Sequence, residues 1–107
     1  MDLTKKKCVP CEGGVLPLDF VSVTKLLQQV SGWSLKNGHL FKEFKFEKFA
    51  ESIDFVNKVA NIAESEGHHP DFAVHFRNVE MEIWTHAING LSENDFILAA
   101  KIDKITN

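Results

Sequence analysis

Cysteine is nearly missing from this chain of 107 residues; the two present stand together as Cys8-Val9-Pro10-Cys11. A Cys-x-x-Cys turn can aim two thiolates at one metal, but a complete structural zinc site needs two further ligands and no second pair exists. Nor is the pair set at the start of a helix in a βαβ unit, which a thioredoxin-like redox motif requires. The favoured reading is a loosely anchored tail over residues 1–17 that turns at Gly13-Gly14. Proline occurs three times, and no linker or low-complexity stretch interrupts the chain. Excess positive charge is lacking as well: the net charge is -3 and the pI about 5.9. That argues against nucleic-acid or other polyanion binding, which depends on a surplus of Lys and Arg. No apolar run approaches the roughly 20 residues that cross a bilayer. Lys5-Lys6-Lys7 lead into Cys8 and Pro10 rather than an apolar stretch, so no secretory signal is read there and a cytoplasmic setting is expected.

What remains is ordinary globular material, 44% hydrophobic and 25% charged, enough for one domain over residues 18–107. Val23, Leu26, Leu27 and Val30 recur at helical spacing, and Ser31-Gly32 end that helix. Trp33–Lys36 meets Asn37-Gly38, a strong hairpin signal, and returns as a strand from His39 to Phe46. A long helix follows over Phe49–Glu66, with Phe49, Ile53, Val56, Ala60 and Ala63 as its apolar stripe and Phe55, Val59 and Ile62 widening it. Gly67 stands where a left-handed cap belongs. Phe72, Val74 and Phe76 alternate on a third strand, Arg77-Asn78 form the expected turn, and Val79, Met81 and Ile83 alternate on a fourth. Ser92 with Asp95, and Leu91 with Phe96, mark the start of a last helix. The order is α-β-β-α-β-β-α. The expected fold is α+β, a four-stranded antiparallel sheet with three helices packed on one face.

Three of the five histidines concentrate in the second half, as His68-His69-Pro70 and Thr85-His86, with Glu64 before them and Asp95 after. Imidazole titrates near neutrality and can both give and take a proton. Pro70 keeps His69 out of the α region. The third and fourth strands are hairpin partners, so the start of one lies beside the end of the other. His68 and His69 should therefore approach His86. His39 and His75 read as solvated surface groups, Asp95 is accounted for by helix capping, and Glu64 by an exposed last turn. Two chemistries compete: three imidazoles holding a catalytic zinc, or three imidazoles acting directly as acid, base and orienting donor.

At these residues the chain resembles the pterin-4a-carbinolamine dehydratase family. The matching pattern is Glu64, His68-His69-Pro70, Phe76, His86 and Asp95, with Gly90–Asp95 agreeing around it. The resemblance extends from about Leu18 onward. It implies a hydro-lyase that removes water from a 4a-hydroxytetrahydropterin, such as 4a-hydroxytetrahydrobiopterin. The product is the quinonoid dihydropterin, and the setting is pterin recycling. The resemblance also implies no cofactor, no metal and assembly as a homodimer or homotetramer. Carried over by position, His68, His69 and His86 are catalytic, and with Pro70 and Thr85 they line the pterin pocket. Glu64 and Asp95 support the histidines. Ala87-Ile88 replace a Glu-Cys pair of animal relatives, and Trp84 replaces a small residue, narrowing the pocket or covering a dimer surface. The alternative on the same fold is a non-catalytic protein-binding factor; a zinc protein ranks behind both.

Overall fold

The computed structural model describes residues 2–9 and 16–106. Helix α1 (Phe20–Leu27) starts at Asp19, whose carboxylate accepts the Ser22 N–H at 2.8 Å. Strands β1 (Ser34–Lys36) and β2 (His39–Lys45) are joined by Asn37 and Gly38, both at positive φ (54° and 78°), the conformation for which that dipeptide is suited. Helix α2 (Phe49–Glu66) ends at Gly67, which takes φ 67°. Strands β3 (Asp71–His75) and β4 (Asn78–Ile83) and helix α3 (Glu93–Thr106) complete the domain. The sheet is antiparallel in the order β1-β2-β4-β3.

Alternation along the central strands decides which face is dry. Leu40 pairs with Ile83 and Phe44 with Val79, and all four are buried, as is Met81. Against them pack Val23 and Leu26 of α1, Phe55 and Val59 of α2, and Phe96, Leu98, Ala99 and Ile102 of α3. All three helices therefore cover one sheet face. Helix α3 is buried continuously from Asn94 to Ala100, so it is the inner helix of the layer. Lys42 shares the buried parity of Leu40 and Phe44. Its ammonium is matched by Asp103 at 2.8 Å, and that carboxylate also accepts the Trp33 indole N–H at 2.9 Å and the Ser31 N–H at 2.9 Å. A charge this close to the core survives only because it is paired and hydrogen-bonded.

Four expectations change. Helix α1 ends at Leu27, with Gln28 as its cap, before the expected stop at Ser31-Gly32. The buried stripe of α2 is Ser52, Phe55, Val59 and Ala63, while Phe49, Ile53 and Ala60 face outward. The apolar arc of this helix is wide, and the sheet chooses its centre. The second hairpin turns at Phe76-Arg77, with Phe76 at φ 55°. Pairing Val74 with Val79 on the dry face places His75 opposite Asn78 and leaves those two residues for the turn. The N-terminal segment is also better anchored than expected. Leu3 and Cys8 belong to the core cluster, the Cys8 N–H donates to Glu66 at 2.8 Å, and the Val9 N–H donates to Asn94 Oδ1 at 2.9 Å. Cys11 and the Gly13-Gly14 turn lie outside the described residues.

Candidate active site

The left-handed cap at Gly67 stops α2 and turns the chain back, delivering His68 toward the start of α3. Glu66, one residue before that cap, accepts from Lys101 of α3 at 2.6 Å and clamps the two helices together. Burial alone would raise the Glu66 carboxyl, but the bonds from Lys101 and the Cys8 N–H outweigh it and hold it below the usual carboxylate range. The same neighbourhood acts on Cys8 in the opposite direction: burial and the Glu66 charge push its thiol up to about 12. A thiol so placed is a packing residue at neutral pH, since nucleophilic and metal-binding roles need the thiolate.

His68 Nε2 lies 2.6 Å from Asp95 Oδ1. Asp95 is fully buried, and its other oxygen accepts the Thr85 hydroxyl at 3.0 Å and the Ser92 N–H at 2.8 Å. Every donor in this set points at one acceptor-only group, so Nε2 of His68 carries the proton and Nδ1 is the nitrogen left for chemistry. Half of the expected capping box is present: the Asp95 carboxylate meets the Ser92 N–H. The Ser92 hydroxyl instead pairs with Thr85 Oγ at 2.7 Å. Asp95 thus caps its helix through one oxygen and holds His68 through the other.

Beyond β4, Thr85 and Gly90 bridge the ends of a tight loop containing the 3-10 turn His86–Ile88. A Cβ on Gly90 would meet Pro17 at 2.7 Å, so glycine is required where the two segments cross. The His86 ring stacks on Trp84 with centroids 4.2 Å apart and planes 22° apart. On its other face Trp84 stacks on His39 at 4.1 Å and 5°. His39 Nδ1 lies 2.5 Å from Glu82. His39 is therefore not the solvated group its composition suggested, whereas His75, 61% exposed and 3.9 Å from Glu80, is.

A cleft of about 400 Å³ runs between these two walls, lined by Gly67, His68, His69, Asp71, Trp84, Thr85, His86 and Ala87. It brings together His68, His69, His86 and Thr85. Pro70 belongs to the same loop without lining the cleft. His69 is more exposed and stands 3.6 Å from Glu64, itself 79% exposed; Glu64 lies outside the lining. Gly67, Asp71, Trp84 and Ala87 are the lining residues that motif spacing alone did not mark as site residues. Strand parity marks Asp71, since it lies opposite Glu82 on the open face. Among the described residues no three His, Cys, Asp or Glu side chains converge as metal ligands. A larger groove of about 610 Å³ lies beside β2 and α2, lined by Lys42, Lys45, Glu51, Asp54 and Lys58 among others, with no histidine.

An α+β domain that gathers three of its five histidines in one cleft, one of them held by a buried carboxylate, has the groups that acid-base chemistry requires. The comparisons with known proteins name the class more closely. The family described as Pterin 4 alpha carbinolamine dehydratase matches residues 17–105. A Rickettsia canadensis protein named as a pterin-4-alpha-carbinolamine dehydratase is 52% identical over 103 residues, 94% of each chain. Pterin-4-alpha-carbinolamine dehydratase 2, mitochondrial, of Arabidopsis thaliana is 51% identical over 110 residues, 97% of this chain and 59% of that protein. The crystal structure of a Brucella melitensis transcriptional coactivator/pterin dehydratase superposes with a TM-score of 0.81 at 27% identity, covering 85% of this chain and 99% of that one. The chain belongs to the pterin-4-alpha-carbinolamine dehydratase family, a family of hydro-lyases. No helix among the described residues is long and apolar enough to cross a membrane.

Proposed function

We propose that this protein dehydrates a 4a-hydroxytetrahydropterin, such as 4a-hydroxytetrahydrobiopterin, to the quinonoid dihydropterin and water, in the recycling of reduced pterin in the cytoplasm. The observation that carries this reading is the cleft itself: His68 on one wall and His86 on the other, with His69 at the mouth. Elimination from a carbinolamine breaks the C–O bond at the carbon beside a ring nitrogen. The departing hydroxyl takes up a proton and leaves as water. The nitrogen gives up its proton as the C=N bond forms. One proton enters and one leaves, so the enzyme ends in its starting charge state once the two histidines re-equilibrate.

His68 and His86 carry these two transfers in our reading, and His69 binds and orients the heterocycle. Asp95 accepts from His68 Nε2, which leaves Nδ1 as the unprotonated nitrogen of the neutral ring and fixes the ring's plane. Thr85 holds that carboxylate and lines the cleft. Pro70 acts through the backbone, keeping the His69 segment extended. Acid-base assistance contributes about 10²–10⁴-fold per well-placed group, which suits a labile carbinolamine and needs neither metal nor organic cofactor. We further propose a homodimer or homotetramer: Phe49 and Phe76, both exposed, lie 6.4 Å apart between ring centroids, and Ile53 and Phe72 are exposed too. Sedimentation reporting a monomer at micromolar concentration would refute that part.

The test of the activity is rapid mixing of freshly generated 4a-hydroxytetrahydropterin with the wild type, His68→Ala and His86→Ala. Each variant should stay folded and lose at least about tenfold in rate. Wild-type rates in both would remove the assigned roles. A protein-binding role on the same fold, suggested by the word coactivator in the description of the Brucella melitensis structure, predicts instead that neither histidine matters.

A further inference from the structure

The two proton-transferring histidines of the proposed reaction are held in unlike ways. His68 has a hydrogen-bond partner in Asp95. His86 sits on an exposed 3-10 turn, and what its ring touches is the face of Trp84. A ring on such a turn, left alone, would sample several rotamers and meet the substrate in the right orientation only part of the time.

Trp84 is not free to serve as a platform for a flat guest. Both faces of its indole are occupied, one by His86 and the other by His39, at centroid separations of 4.2 and 4.1 Å. Only its edge borders the cleft. The stack ends in a firm anchor: His39 begins β2, its ring is 20% exposed, and Nδ1 is 2.5 Å from Glu82 on the neighbouring β4. Glu82 in turn faces Phe41 across the β2–β4 ladder. Three rings and one carboxylate thus run from the sheet to the cleft. We infer that Trp84, braced from behind by His39, is a positioning residue that sets the orientation of the His86 imidazole for proton transfer.

This inference rests on the dehydratase reading and adds to it a residue that does not touch the reacting atoms. It makes distinct demands. Trp84→Leu should lower kcat about tenfold with KM changed less than about threefold, because the substrate is not stacked on the indole. Trp84→Phe keeps a flat face and should recover most of that loss. His39→Ala, which removes the brace and not the face, should cost about threefold. In a His86→Ala background Trp84→Leu should cost nothing further, the non-additivity expected of residues that act as a unit. Without any substrate, the ring protons of His86 should resonate upfield in the wild type and in Trp84→Phe, and return to ordinary positions in Trp84→Leu.

Trp84→Leu with wild-type kcat, or losses that simply add with His86→Ala, would overturn the inference while leaving the dehydratase reading intact. His86 resonances unmoved by Trp84→Leu would overturn it too, even with activity reduced. Should Trp84→Leu fail to fold, Trp84→Phe and His39→Ala decide the same question: a Phe variant as impaired as His86→Ala removes the claim. A wild type with no turnover of the carbinolamine sinks the dehydratase reading and this assignment together.

Discussion

The two walls of the cleft solve one problem by different physics. On the first, His68 is hydrogen-bonded to Asp95, a carboxylate with no exposed surface that also accepts from Thr85 and Ser92. On the second, His86 lies against Trp84 at the surface, and Trp84 against His39. Hydrogen bonds to a buried charge are directional and costly to break, so they fix one ring nitrogen and one tautomer. Stacking fixes the plane of the ring without fixing which nitrogen carries the proton. The first wall fixes which nitrogen of His68 carries the proton; the second fixes the plane of the His86 ring.

The strongest way to break the first wall is Asp95→Ala. Three donors would lose their acceptor inside the protein, and we expect a loss of about 3 kcal/mol in unfolding free energy by denaturant titration. The rate should fall about 10²-fold as His68 loses its orientation. Unchanged stability would mean that the buried carboxylate is not the anchor of this wall. A smaller effect is expected at the clamp behind it. Glu66 joins the end of α2, just ahead of the loop that carries His68, to α3, which carries Asp95. Its folded pKa lies below the ordinary value of 4.5. Its stabilising contribution is therefore complete above that ordinary value and is lost as pH falls through the lower folded value. Glu66→Gln should lower stability near neutrality by about 1–3 kcal/mol and flatten the acid limb of the pH–stability curve. An acid limb as steep as in the wild type would show that other carboxylates control it. The smallest effect belongs to the mouth of the cleft. Glu64 and His69 are both largely exposed and 3.6 Å apart, so Glu64→Gln should leave stability within about 0.5 kcal/mol and the rate within about twofold. A larger loss of rate would bring Glu64 into the chemistry.

How far the residues announced all this varies by element. Helix α2 is bounded in the sequence by Gly67, and the hairpin at Asn37-Gly38 by its own turn chemistry, because both signals act over a few neighbouring residues. The proximity of His68 to His86 also followed from pairing rules, since antiparallel strands bring opposite ends together. The stripe of α2 did not. Phe49, Ile53 and Ala60 fit helical spacing as well as Ser52, Phe55 and Val59 do, and only the sheet distinguishes the two arcs. The turn at Phe76 was hidden for a related reason: Asn78 tolerates positive φ better, but the pairing of Val74 with Val79 overrides local preference. His39 was read as a surface group because the residues that hold it, Trp84 and Glu82, are distant in the chain, Glu82 by 43 positions.

The amino-acid order by itself determined the sequence of helices and strands, the cap at Gly67 and the family pattern of acid, paired histidines, proline and later histidine, because each depends on neighbours along the chain. Tertiary structure alone decided that Asp95 serves a helix and a histidine at once, that Cys8 is sealed in the core, and that three rings, one from β2 and two from the segment beyond β4, form one stack. Those outcomes depend on distances between residues far apart in the chain, and such distances exist only once the sheet has paired and the helices have closed over it.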